Sequence, residues 1–238
     1  MGKILKLTIA TITAVFFYGS AIAFQGISIG VIGDSASFST SGKETDHGGI
    51  ETLGGQPSEI NEVTKTKDVD FPAIFIEYTG GESGGLSYSV GVEFTPGEAE
   101  LGAGTRTDSN DENTGSDDGT YTAKAEIENL TTLYIEPGYQ INDNFALYGK
   151  TGISHTTVKT LESLANGISS STYADADVFG FLYGVGIKAN TNFGIFAKLE
   201  ATTTNFDTLT VSSNTGNKNK IVASPEKDSV RLAIGYNF

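Results

Sequence analysis

Cysteine and tryptophan are absent from this 238-residue chain, and proline occurs five times, histidine twice and methionine once. Without cysteine there are no disulfide staples, no thiolate metal site and no thiol redox chemistry. Basic residues are also scarce, 15 Lys and Arg against 29 Asp and Glu for a formal charge of -14. Phosphate backbones are bound by clustered Lys and Arg, so that balance excludes nucleic acid and favours cations or basic surfaces as partners. Long apolar runs are missing too. Beyond the first residues no stretch approaches the ~20 apolar residues that a membrane-crossing helix needs, so a membrane location would require a closed β-barrel.

The first residues form a unit of their own. Lys3 and Lys6 give a positive start, Leu7 to Phe17 an apolar core, and Ala21-Ile-Ala23 a small-x-small cleavage site. This is the pattern of a secretory signal peptide over residues 1–23, leaving a single mature domain over 24–238 that starts at Phe24.

What the mature chain has in abundance is alternation. In residues 228–238 the apolar Val230, Leu232, Ile234, Tyr236 and Phe238 alternate with Ser229, Arg231, Ala233, Gly235 and Asn237. A period of two marks a strand with one apolar face, and ~9 to 11 residues is the length of a tilted membrane-crossing β-strand. Seven earlier segments repeat it. They fall near residues 26–37, 71–79, 86–94, 133–141, 145–153, 179–189 and 193–201. The links between them run long, short, long, short, long, short, long. The long ones are 39–70, 96–119, 155–177 and 205–227, and the short ones are glycine- or asparagine-rich turns. Short turns on one side and long loops on the other are the mark of a membrane barrel. The expected fold is therefore all-β, an eight-stranded antiparallel up-and-down transmembrane β-barrel with four long extracellular loops, three short periplasmic turns and both termini periplasmic. In the fourth segment the same parity reads back through Ala125 and Ile127 as outward positions, suggesting a protruding sheet.

The charges sort by face. The outward set carries none, which matters because a Lys or Arg facing the bilayer midplane costs ~2–4 kcal/mol. The inward set carries Glu77, Glu93, Glu136 and Glu200 against Lys150, Lys188, Lys198 and Arg231. Buried charges persist when paired, so a balanced interior network is expected. Glu136 and Lys150 lie seven residues either side of Asp143, and a hairpin centred there sets them opposite each other. An eight-stranded barrel is only wide enough for its own side chains, so the network should plug it. Aromatic girdles are expected from Tyr139, Phe145, Phe193, Tyr236 and Phe238 at one level and Phe94 and Phe179 at the other.

The strand count, loop rhythm, inner charges and the ending Ala233-Ile-Gly-Tyr-Asn-Phe238 resemble the small eight-stranded outer-membrane β-barrel family. That family includes the opacity-type adhesins, OmpX and the OmpA transmembrane domain. The resemblance implies that Ile234, Tyr236 and Phe238 form the C-terminal signal read by the barrel-assembly machinery. It also implies a Gram-negative outer-membrane location among membrane lipids and lipopolysaccharide, and work at the cell surface in adhesion, surface interaction or envelope integrity, with a ligand met through the loops. A narrow or gated porin is the alternative, and a lipid-modifying barrel enzyme a lesser one.

No catalytic residue, cofactor or metal ligand is assigned. His47 has no partnered Ser or acid in sequence, and His155 directly follows Ser154, so on an extended strand the two face opposite sides. The acidic run 108–118 offers oxygen donors for Ca²⁺ or Mg²⁺, but its spacing does not match an EF-hand loop. The expectation is a monomeric, non-enzymatic barrel.

Overall fold

The computed structural model describes residues 26–46, 59–81, 85–108, 119–142, 144–164, 173–212 and 220–238. Nine strands account for nearly all of them: β1 Gly26–Asp46, β2 Glu59–Gly81, β3 Leu86–Asp108, β4 Gly119–Gln140, β5 Phe145–Leu164, β6 Ala176–Asn190, β7 Ile195–Phe206, β8 Leu209–Ser212 and β9 Lys220–Asn237. Neighbours pair antiparallel in chain order, except that β9 takes both β7 and β8 along one side, and β1 pairs with β9 to close the sheet. Because β8 continues the line of β7 after a break at Asp207 and Thr208, the barrel has eight staves.

One end is tied by tight links. At the β4–β5 turn Asn142 Oδ1 accepts the amide hydrogens of Asn144 at 2.9 Å and Phe145 at 3.0 Å, a side-chain imitation of a backbone turn. The β6–β7 turn uses Gly194 at φ +87, where any Cβ would run into the carbonyl of Asn237.

The other end departs from expectation. The segments read as long loops are largely strand: β1 and β2 stay paired from Gly26–Thr79 up to Asp46–Glu59, and β3 and β4 up to Asp108–Gly119. What separates the strands at this end is residues 47–58, 109–118, 165–172 and 213–219, which lie outside the described set, as does most of the acidic run 108–118. A 23-residue strand such as β2 is roughly 75 Å long at ~3.3 Å per residue, and at a tilt of ~40° it rises nearly 60 Å, about twice a ~25 Å apolar band. Polarity hid these extensions. Lipid-facing alternation is absent from them because their outer face meets water.

The two halves of the barrel have opposite polarity. Near the short turns the outside is apolar: Ile27, Ile74, Val90, Leu133, Ile153, Phe181 and Val230 are among the large exposed hydrophobics, and no charged residue interrupts them. Farther up, the apolar residues are inside. Phe38, Leu101, Ile127, Leu130, Val158, Phe206 and Leu209 form one buried cluster, with Val69 and Phe71 packed on it. Ile127 is 5 % exposed and does not face outward. The reason is a bulge at Asn129, which takes φ +54 and shifts the β4–β5 register between Glu128 and Thr131. One extra residue reverses the facing of everything beyond it.

Candidate functional site: the ionic interior

The apolar outer band surrounds a lumen filled with charge. All eight ionisable residues picked from alternation, Glu77, Glu93, Glu136, Lys150, Lys188, Lys198, Glu200 and Arg231, are buried. Asp34 of β1 and Lys227 of β9 join them, so five carboxylates meet five cations. Lys227 escaped the sequence reading because it falls in a stretch taken for loop. Asp34 sits at an inward position of β1, two residues beyond Ile32, and parity alone would have found it.

The contacts cross the tube. Glu77 on β2 holds Lys188 on β6 at 3.2 Å and Lys198 on β7. Glu93 on β3 holds Lys150 on β5 and Arg231 on β9. Glu136 on β4 reaches Lys150 at 3.1 Å and Lys198 at 2.7 Å, and Glu200 on β7 reaches Lys150 and Arg231, each at 3.1 Å. Each of these four carboxylates therefore touches two cations, which is the compensation that burial demands. Lys188 and Lys198 stand directly opposite each other in the β6–β7 register, a repulsive pair on a ladder considered alone. Glu77, arriving from across the lumen, neutralises that repulsion. At the closure of the sheet Asp34 takes Lys227 at 2.6 Å and lies 3.5 Å from Arg231.

Aromatic rings frame the ions. Tyr134 Oη donates to Glu77 Oε2 and Tyr148 Oη donates to Glu200 Oε1, both at 2.8 Å. Lys150 Nζ lies 3.9 Å from the Tyr134 ring centre and Lys188 Nζ 4.1 Å from that of Phe196. Each of four inward rings lies over the glycine paired with it on the neighbouring strand: Tyr134 on Gly91, Tyr148 on Gly186, Phe196 on Gly235 and Phe75 on Gly30. A Cβ at any of those glycines would collide with the ring. Packing by rings laid flat on a bare backbone was legible only as unexplained inward glycines. Near the short turns Ser89, Glu136, Tyr148, Lys188 and Asn190 enclose a cavity of about 20 Å³, room for roughly one water molecule.

The remaining candidates are not part of this cluster. Ile234 and Tyr236 on β9 and Phe238 just past its end all face outward, with the Tyr236 and Phe238 rings edge to face at 5.0 Å and the Phe238 amide donating to Ile27 O at 2.9 Å. Tyr139 and Phe193 face outward near the short turns, and Phe94 and Phe179 at the upper limit of the apolar band. Ser154 points inward, sharing a 2.8 Å hydrogen bond with Thr132, while His155 points out against Phe179 and lies 3.8 Å from Asp177. His47 is outside the described residues. Among the described residues no group of His, Asp and Glu is placed to hold a metal ion. On the outer surface of the upper half, Lys159 bridges Glu98 at 3.1 Å and Glu128 at 2.8 Å, and the hydrogen bonds it donates, that to Glu128 foremost, raise its pKa.

A closed antiparallel sheet with a charge-free apolar outer band surrounding a paired-ion interior is an integral membrane β-barrel. The chain belongs to the outer membrane protein beta-barrel domain family, whose model matches residues 19–238, and with it to the Gram-negative outer membrane. No curated protein sequence matches it. Among solved structures it is similar to OprG from Pseudomonas aeruginosa, at 16% identity over 92% of this chain and 99% of that one with a TM-score of 0.45. Ail, the attachment invasion locus protein of Yersinia pestis, is 13% identical over 87% and 99% with a TM-score of 0.35. The outer membrane protease OmpT from Escherichia coli is 11% identical over 93% and 99% with a TM-score of 0.45.

Proposed function

We propose that the protein is a monomeric surface barrel, plugged by its interior, that presents its tall end outside the cell for adhesion, surface interaction or envelope support. The observation carrying the plug is the set of ion pairs that join β2 to β6 and β7, and β3 to β9, across the lumen. A hydrated ion could pass only by parting these buried contacts. Planar-bilayer recording of the purified protein tests this. Silence is the expected result, whereas stable single-channel steps would favour a narrow or gated porin.

On this reading residues 1–23 are a signal peptide, Phe24 begins the mature chain, and the short turns and both termini face the periplasm. Lipid and lipopolysaccharide surround the outer band, and the outward ending Ile234, Tyr236, Phe238 is the signal taken up by the barrel-assembly machinery. Mass measurement of the mature protein tests the cleavage, and amine labelling of intact cells tests the orientation through Lys65 and Lys67, both exposed in the upper half. The protein is assigned no catalytic residue. The opposite facing of Ser154 and His155 argues against a serine-dependent lipid enzyme at that position.

A further inference from the structure

Six buried side-chain polar atoms among the described residues find no hydrogen-bond partner there, and two of them belong to residues that line one cavity. Glu136 Oε1 stands 3.1 Å from Lys150 Nζ but receives no hydrogen bond, and Asn190 Oδ1 receives none either, although both residues are 3 % exposed. An acceptor buried in that state bears the full cost of having left water. Glu136 and Asn190 share the walls of the cavity of about 20 Å³ at the short-turn end with Thr79, Ser89, Tyr148 and Lys188. Solvent is near on that side. Gln140 and Asn190, also in the wall, are the last residues of β4 and β6, and Thr79 is two residues from the end of β2. Above the ions, by contrast, the lumen is filled by the cluster of Phe38, Leu101 and Ile127.

The chemistry of the wall selects the occupant. An anion is refused by the Glu136 carboxylate and by acceptors that need hydrogens. A metal ion or an ammonium group would sit beside the Lys188 ammonium, in an interior whose five carboxylates are already matched by five cations. What remains is a small neutral molecule that both donates and accepts. Thr79 and Ser89 share one hydrogen bond at 2.9 Å, which uses one of their two hydroxyl hydrogens and leaves the other to give. A single water taking that hydrogen, and giving its own two to Glu136 Oε1 and Asn190 Oδ1, makes about three bonds, the usual number for a buried water.

We propose that this cavity is a hydration site, holding one exchangeable water bonded to Glu136 and Asn190, and that the lumen is wet at its short-turn end and dry beyond. The water completes the two acceptors that the ion network leaves unmet, so the charges of β4 and the end of β6 are joined through it. The dry part rests on the plug reading, whereas the water itself needs the cavity alone.

Two tyrosines provide an internal comparison. Tyr148 and Tyr134 are both buried and both donate at 2.8 Å to an interior carboxylate, but Tyr148 lines the cavity and Tyr134 does not. A brief X-ray pulse turns water into hydroxyl radicals that mark the side chains beside it, so the purified protein in nanodiscs is pulsed and the two rings are compared by mass spectrometry. Tyr148 should be hydroxylated roughly tenfold faster than Tyr134, and should take up 18O within seconds of mixing with 18O-labelled water. Ala146→Val, which fills the cavity from β5, should cut the Tyr148 rate several-fold, and Ser87→Val fills it from β3 if the first variant does not fold. Equally slow marking of both rings overturns the water site and leaves a silent, plugged barrel standing. Equally fast marking overturns the one-sided arrangement, and single-channel steps beside it overturn the plug as well. Stabilisation against urea by sodium over choline, lost in Asn190→Ala, would put a metal ion in the cavity and overturn the assignment to water.

Discussion

Arg231 is the cation whose loss the interior should feel most sharply. Its guanidinium touches Glu93, Glu200 at 3.1 Å and Asp34 at 3.5 Å, and all four residues are buried. Arg231→Met would leave five carboxylates facing four cations inside the lumen. Removing one partner of a buried ion pair costs ~3–5 kcal/mol. Here each orphaned acid keeps one other cation, Lys150 for Glu93 and Glu200 and Lys227 for Asp34, so the lower part of that range, about 3 kcal/mol, applies. Adding Glu93→Gln restores the balance of charge, and the double variant should be more stable than the sum of the singles by roughly 1–3 kcal/mol. Urea unfolding in phospholipid vesicles, followed by circular dichroism and by heat-modifiable gel migration, measures both quantities. Additive losses, or an Arg231→Met change under about 0.5 kcal/mol, would refute the idea that these charges hold one another in place.

Substitutions at four further positions probe the two halves separately. Val90→Arg puts a cation on the outward face of β3, at a position now 45 % exposed among apolar neighbours, and should cost ~2–4 kcal/mol in vesicle folding, whereas Thr66→Arg in the upper half should cost under ~0.5 kcal/mol. Ile127→Ala removes a buried side chain from the upper cluster and should cost ~2–5 kcal/mol. A near-neutral result in the same unfolding assay would return Ile127 to the outer face. Asn129 holds φ +54, so Asn129→Val should destabilise by ~1–3 kcal/mol while Asn129→Gly stays near neutral. Similar effects from both would mean that the left-handed backbone is not what the bulge requires.

Alternation by itself determined the lower barrel. From Leu86 to Phe94 or from Ser229 to Phe238 the period of two is a local property, so it told which side chains meet hydrocarbon and which meet one another, down to Glu136 beside Lys150 at the β4–β5 hairpin. Closure decided the rest. No spacing within the chain could bring Glu77 between Lys188 and Lys198, or Asp34 to Lys227 at the β1–β9 seam, because those distances exist only once the sheet has curled and its first and last strands have paired. The upper half was hidden for a different reason. A stretch of Ser, Thr and charged residues looks like loop when every outward residue is expected to be apolar, yet it makes sound strand once its outer face is in water and residues such as Phe38 and Phe71 turn inward. One residue at Asn129 then reversed the parity of β4, and a local pattern carries through such a bulge only to the wrong face.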